Sequence, residues 1–162
     1  MNVPEEIKNF LCEEITEPRQ FDIGFENFEF PKAEQIIDYQ MGYRWEGGSG
    51  KRLAGWPDNW VVIGHSNADP LIYDTLSGSV NFARHGAGSW IANRLFSDLQ
   101  MMLECIQELS KIITAAGDNL FDEDFNILSK HVNSMQSLLV DTYGVDVGSK
   151  IIEAFEIKDW SV

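Results

Sequence analysis

The spacing of apolar residues changes period three times along the chain. In NVPEEIKNFLCEEI, Ile7, Phe10, Leu11 and Ile15 recur at i, i+3, i+4 and i+8, while Pro4 suits a first turn and Glu5 and Glu6 complement the helix dipole. This predicts a short amphipathic helix. EPRQFDIGFENFEF mixes Phe21, Phe25, Phe28 and Phe30 with acids in neither period, so it reads as loop with a short strand. FPKAEQIIDYQMGYRW offers Pro31 as a helix start and Ile36, Ile37 and Met41 as one face ending at Gly42, which predicts a second short helix.

The glycine-rich WEGGSGKRLAGWPDNW is turn material with Lys51 and Arg52 at an exposed tip. Runs at 60–64, 69–78 and 79–86 are short, β-branched or aromatic, and separated by Asn, Asp, Gly and Ser clusters. Leu71 and Tyr73 alternate with Ile72 and Asp74, and Val80 and Phe82 with Asn81 and Ala83, which predicts an antiparallel meander packed on one face. Ser77-Gly78 marks a tight hairpin. From Trp90 to Ala116 the period lengthens: Leu95, Leu99, Met102, Leu103, Ile106, Leu109, Ile112 and Ile113 form one stripe, the face of a helix roughly 35 to 40 Å long that begins on Trp90. DEDFNILSKHVNSMQSLLVDTYG opens with three acids and repeats Phe125, Leu128, Val132, Met135 and Leu139, a second long helix returning antiparallel to the first. Ile151, Ile152 and Phe155 face one way on a short closing helix. The expected fold class is α+β, a central, mostly antiparallel sheet flanked by helices, in one domain over 1–162 with a helical extension from about 117.

A chain of 162 residues buries a core without disulfide or metal, so Cys12 and Cys105 read as reduced, buried thiols. No apolar run approaches the roughly 20 residues of a membrane helix. The segment MNVPEEIKNF lacks the basic and apolar regions of a signal peptide, and the expected location is the cytoplasm. The 12 Lys and Arg against 26 Asp and Glu leave a net charge of −14, which repels phosphate backbones and argues against nucleic-acid binding. The same charge speeds encounter with a basic protein. It is uneven: residues 1–30 carry 8 acids and 2 bases, residues 31–94 carry 6 of each, and residues 95–162 carry 12 and 4.

Candidate chemistry is sparse. His65, Asp69, Asp74 and His85 fall on neighbouring strands, where nitrogen and carboxylate ligands would suit zinc or iron. The competing reading has the histidines capping turns and the aspartates accepting strand-end amides. Neither cysteine sits in a nucleophile elbow, and Gly47 to Gly50 with Lys51 and Arg52 lacks the spacing of a phosphate loop and reads as a hairpin tip. In His85-Gly86-Ala87-Gly88-Ser89-Trp90, two glycines bracket a turn that calls for positive φ or close approach.

Taken in order, GWPDNWVVIG, DPLIYD, VNFARHGAGSW and FSDLQMML resemble the SUKH superfamily, named in part for the Smi/Knr fungal cell-wall regulators, over roughly residues 31 to 103. Trp60 to Gly64, Asp69 to Asp74, Val80 to Phe82 and Phe96 to Leu103 carry the likeness, and His85, Gly86, Gly88 and Trp90 are structural positions within it. The resemblance implies an α+β domain without cofactor or catalytic motif. Bacterial members look mainly like immunity proteins that bind and neutralise toxins, many of them nucleases or deaminases. The chain departs from shorter members after residue 117. The expected contact residues are Glu26 and Glu29 in the acidic N-terminal stretch and Trp56 in the glycine-rich hairpin; the competing reading is solvated charge and a core tryptophan. Rival functions are a regulatory or scaffold module of the Smi/Knr type and a metal-dependent enzyme using His65, Asp69, Asp74 and His85. A homodimer through the long-helix stripe is also open.

Overall fold

The computed structural model describes residues 1–86 and 88–161; Ala87, inside the expected turn before Trp90, and Val162 lie outside the described residues. The fold is α+β. Six strands, β1 (Gln20–Asp22), β2 (Asn27–Glu29), β3 (Trp60–Ser66), β4 (Asp69–Asp74), β5 (Val80–Ala83) and β6 (Ala92–Phe96), lie in one sheet in sequence order. Each pairing from β2 to β6 is antiparallel. The helices are α1 (Glu5–Asn9), α2 (Leu99–Ala116) and α3 (Ser129–Ala154). Two compact units divide the chain: Met1–Gln20 with Phe28–Leu99, and Phe21–Asn27 with the chain from Gln100 onward.

In the first unit α1 runs into a π-helical turn at Phe10–Glu14, and Ile7, Phe10, Leu11 and Ile15 are buried as their spacing predicts. Cys12 is exposed, contrary to expectation, because it stands off the face those four residues share. The Arg19 guanidinium closes the turn by donating to the carbonyls of Leu11 (2.7 Å), Ile15 (2.5 Å) and Pro31 (2.6 Å).

The meander is not packed on one face only. All four residues of β5 and the first five of β4 are buried. On one face Phe82 meets Phe28 edge to face, with ring centroids 6.1 Å apart. On the other, Val62, Ile72 and Ala83 cluster with Tyr43 and Trp56. The alternation misled because residues 31–59 do not form the expected helix; they pass over this second face as a cover. Short 3-10 turns at Ala33–Gln35 and Asp38–Gln40 replace the helix, and they bury Ile36 while leaving Ile37 and Met41 about two-fifths exposed. The turns aim Gln40 inward. Its side chain donates to the carbonyls of Val62 (2.8 Å) and Ile36 (2.9 Å) and accepts from the Val62 amide (2.9 Å), so one side chain pairs with β3 as a strand residue would. Arg44, also buried, donates to the carbonyls of Asp58 (2.8 Å) and Trp60 (2.7 Å). Together Gln40 and Arg44 pin the cover to β3.

Trp90 does not start a helix. Ala92–Phe96 pairs with β5 as β6, and α2 begins at Leu99, so its 18 residues span about 27 Å. Leu95 and Leu99 continue the helical stripe by coincidence of spacing, which hid the strand. From Met102 onward the stripe behaves as predicted, with Met102, Leu103, Ile106, Leu109 and Ile113 buried.

The second unit takes its core from α2 and α3, with Val132, Met135, Leu139, Ile151 and Phe155 buried. The backbone leaves helical geometry at Gly144 (φ 80°, ψ 165°), which separates the long helix from the closing one as the pattern predicts. The N-terminal acids do not cap that helix. Asp122, Glu123 and Asp124 belong to a hairpin that precedes Ser129, and Phe125, expected on the buried face, is 83 % exposed. Among the described residues, no helix is long and apolar enough to cross a membrane.

Candidate functional site

Most of the motif positions of the sequence converge on the covered face and one end of the sheet in the first unit. The β3–β4 hairpin turns through Asn67 and Ala68, both at positive φ (52° and 89°), which brings Asp69 opposite Ser66 and His65 opposite Pro70. Gly64 lies beside a bulge in β3, where a Cβ would stand 2.9 Å from the Glu29 carbonyl oxygen and 2.9 Å from the Phe30 ring. Only glycine lets β2 come this close.

Asp69 and His85 meet, as expected. The buried Asp69 carboxylate accepts from the His85 amide (2.7 Å) and from Arg84 (2.7 Å), and its Oδ1 lies 2.5 Å from His85 Nδ1. Burial alone would raise the Asp69 pKa; the three hydrogen bonds and the Arg84 charge outweigh it and hold the carboxyl below its ordinary range. Asp74 does not join them. It sits at the other end of β4, five steps or roughly 17 Å away, where it accepts from Asn59 (2.7 Å) and the Leu76 amide (2.9 Å). That is the strand-end role of the competing reading. His65 stacks on Tyr39 with ring centroids 4.9 Å apart and planes 8° from parallel, and its Nδ1 is buried without a hydrogen-bond partner. Among the described residues no three His, Cys, Asp or Glu side chains are grouped as metal ligands.

Around this end of the sheet lies a cavity of about 470 Å³ lined by Asp38, Tyr39, Met41, Gly42, Tyr43, His65, Ala68, His85 and Trp90. Its walls are aromatic. Tyr39 and His65 form one stack; Tyr43 and Trp90 form the other wall, 5.5 Å between centroids and tilted by 54°. Both phenols are engaged, Tyr39 donating to the Glu29 carbonyl (3.3 Å) and Tyr43 to the Ala68 carbonyl (3.0 Å). Burial pushes the Tyr43 hydroxyl up to about 12, aided by the Asp69 charge, and raises Tyr39 as well. Both rings line the cavity. Gly86 and Gly88 take the positive φ that their spacing suggested, 90° and 74°.

Of the expected contact residues, Trp56 and Glu26 are buried and Glu29 is half-buried. Trp56 is 4 % exposed; its ring packs on Tyr43, Trp60 and Trp90, and its Nε1 donates to the Trp60 carbonyl (3.2 Å), so it is core. Glu26 is 6 % exposed and therefore not a solvated contact. Glu29 is half-buried on β2 and accepts from Gln20 (3.1 Å). The surface that the sequence reading missed is in the second unit. Residues 120–128 form a hairpin in which the Asp122 carboxylate accepts from the amides of Asp124 and Asn126, both at 2.9 Å. Its tip holds Phe125 at φ 63° and 83 % exposed, with Phe121 48 % exposed beside it and Asp118, Glu123 and Asp124 also exposed. An acid-rich break between two helical patterns marks this hairpin in the sequence, but Phe125 also matches the helical stripe, which places it inward.

Comparison of the chain with family models, with curated proteins and with solved structures yields no match.

Proposed function

We propose that this chain is a non-catalytic protein-binding domain, an immunity protein that occludes a basic toxin such as a nuclease in the cytoplasm. The observation that supports it best is the hairpin at 120–128. A phenylalanine 83 % exposed, at positive φ in a carboxylate-capped turn and preceded in sequence by Asp122, Glu123 and Asp124, has the composition of an interface anchor. The second unit carries 13 Asp and Glu against 4 Lys and Arg, a net −9, so the field around that anchor favours a basic partner. The motif likeness to SUKH domains points to the same function from separate residues.

The test is co-expression with the protein encoded immediately upstream. Rescue of growth together with a complex that co-purifies is the expected result, and Phe125→Ser should abolish both while leaving the fold intact. A toxic neighbour left unneutralised, or no binding, would shift the reading to an intracellular regulatory module of the Smi/Knr type.

A further inference from the structure

The cavity in the first unit has a chemistry of its own. Tyr39 stacked with His65 and Tyr43 tilted against Trp90 line it with aromatic rings, Met41 adds a soft apolar contact, and Asp38 supplies a carboxylate. Among the described residues, no lysine or arginine lines it. Ring faces carry partial negative charge, so aromatic walls around one carboxylate attract a cation and disfavour an anion. The Asp69 carboxylate is already committed to Arg84 and His85, which leaves Asp38 as the available counter-charge among the lining residues. The cavity volume of about 470 Å³ exceeds what an ammonium group needs and accommodates a flat guanidinium with its stem. A guanidinium also matches both wall types, since it stacks on aromatic faces and offers a fork of N–H donors to a carboxylate.

We infer that this cavity is a binding site for an arginine side chain presented by a protein partner. The guanidinium lies between the Tyr39 and Tyr43–Trp90 walls and pairs with Asp38. That the arginine is borne by a protein rests on the protein-binding reading above; the cation preference of the cavity does not.

The experiment uses the full chain, isotopically labelled, and follows the indole N–H signal of Trp90 by NMR, assigned with Trp90→Phe. The protein is titrated with N-acetyl-arginine methylamide, with the uncharged citrulline analogue of the same shape, and with free arginine. The expected result is a saturable shift of the Trp90 signal with the capped arginine and about tenfold weaker binding of the citrulline analogue. Free arginine, whose own carboxylate and ammonium crowd the site, should bind more weakly than the capped form. Asp38→Asn, at an exposed side chain, should weaken the capped arginine several-fold without altering the remaining spectrum. Equal binding of arginine and citrulline analogues, or no shift with either, overturns the assignment. Tighter binding of free arginine overturns the protein-borne source and makes the cavity a small-molecule site. Because no toxin takes part, failure here is distinguishable from failure of the immunity reading.

Discussion

Ala68 occupies a backbone conformation that costs an L-residue about 1 kcal/mol or more, at φ 89° in the second position of a two-residue hairpin that favours Asn-Gly. It is kept where its carbonyl holds the Tyr43 hydroxyl. Ala68→Gly should therefore raise stability by about 1 kcal/mol, read as a higher urea midpoint at unchanged slope. Asp69 works in the opposite direction. Its folded-state pKa is depressed, so its contribution is complete above the unfolded value near 4 and is lost as pH falls through the folded one. Asp69→Asn should cost about 2 to 3 kcal/mol at pH 7, through loss of charge-assisted bonds to Arg84 and His85, and should flatten the acid limb of a stability profile below pH 4. The two thiols also separate: Cys12 is exposed, while burial pushes Cys105 up to about 12, so a thiol reagent should titrate one cysteine in the native protein and two in denaturant.

At the scale of elements, the sequence was legible where apolar spacing ran long or turns were marked by glycine. The stripe from Met102 to Ile113, the repeat from Val132 to Leu139 and the break before the closing helix follow from periodicity, and the runs at 60–64 and 69–78, marked by β-branched and aromatic residues between turn clusters, fall on β3 and β4. It failed where polar side chains decide the path. Nothing in the apolar spacing marks Gln40 or Arg44, yet their bonds to β3 hold residues 31–59 over the sheet in place of a helix. β6 was lost because five residues beside a helix cannot assert a period of 2 against Leu95 in register with the stripe. Of the candidate site, the meeting of Asp69 with His85 and the turn at Gly86 and Gly88 were foreseeable; the aromatic cavity was not, since Tyr39 and Tyr43 come from the mispredicted helix. Gly64→Ala tests the close approach of β2: the added methyl meets a backbone oxygen at 2.9 Å and should cost about 1 to 3 kcal/mol by thermal unfolding.

For the molecule as a whole, charge is divided as unevenly as structure. The first unit carries 13 acids against 8 bases and the second 13 against 4, so association through the second unit should be sensitive to salt. Raising ionic strength from about 0.05 to 0.5 M should slow association with a basic partner by an order of magnitude or more while changing dissociation little, measured by stopped flow. The cover of the first unit has a different consequence. Residues 41–58 contain isolated bridges and turns but no full strand or helix, and they are fastened to the sheet through side chains, among them Tyr43, Arg44 and Trp56, whereas β3 to β5 are laddered on both sides. Such a segment opens as a sub-global unit before the sheet does. Amides of the cover should exchange with solvent well before those of β4, and each opening uncovers Trp56, so slow fluctuations of this small protein would be visible in its own fluorescence.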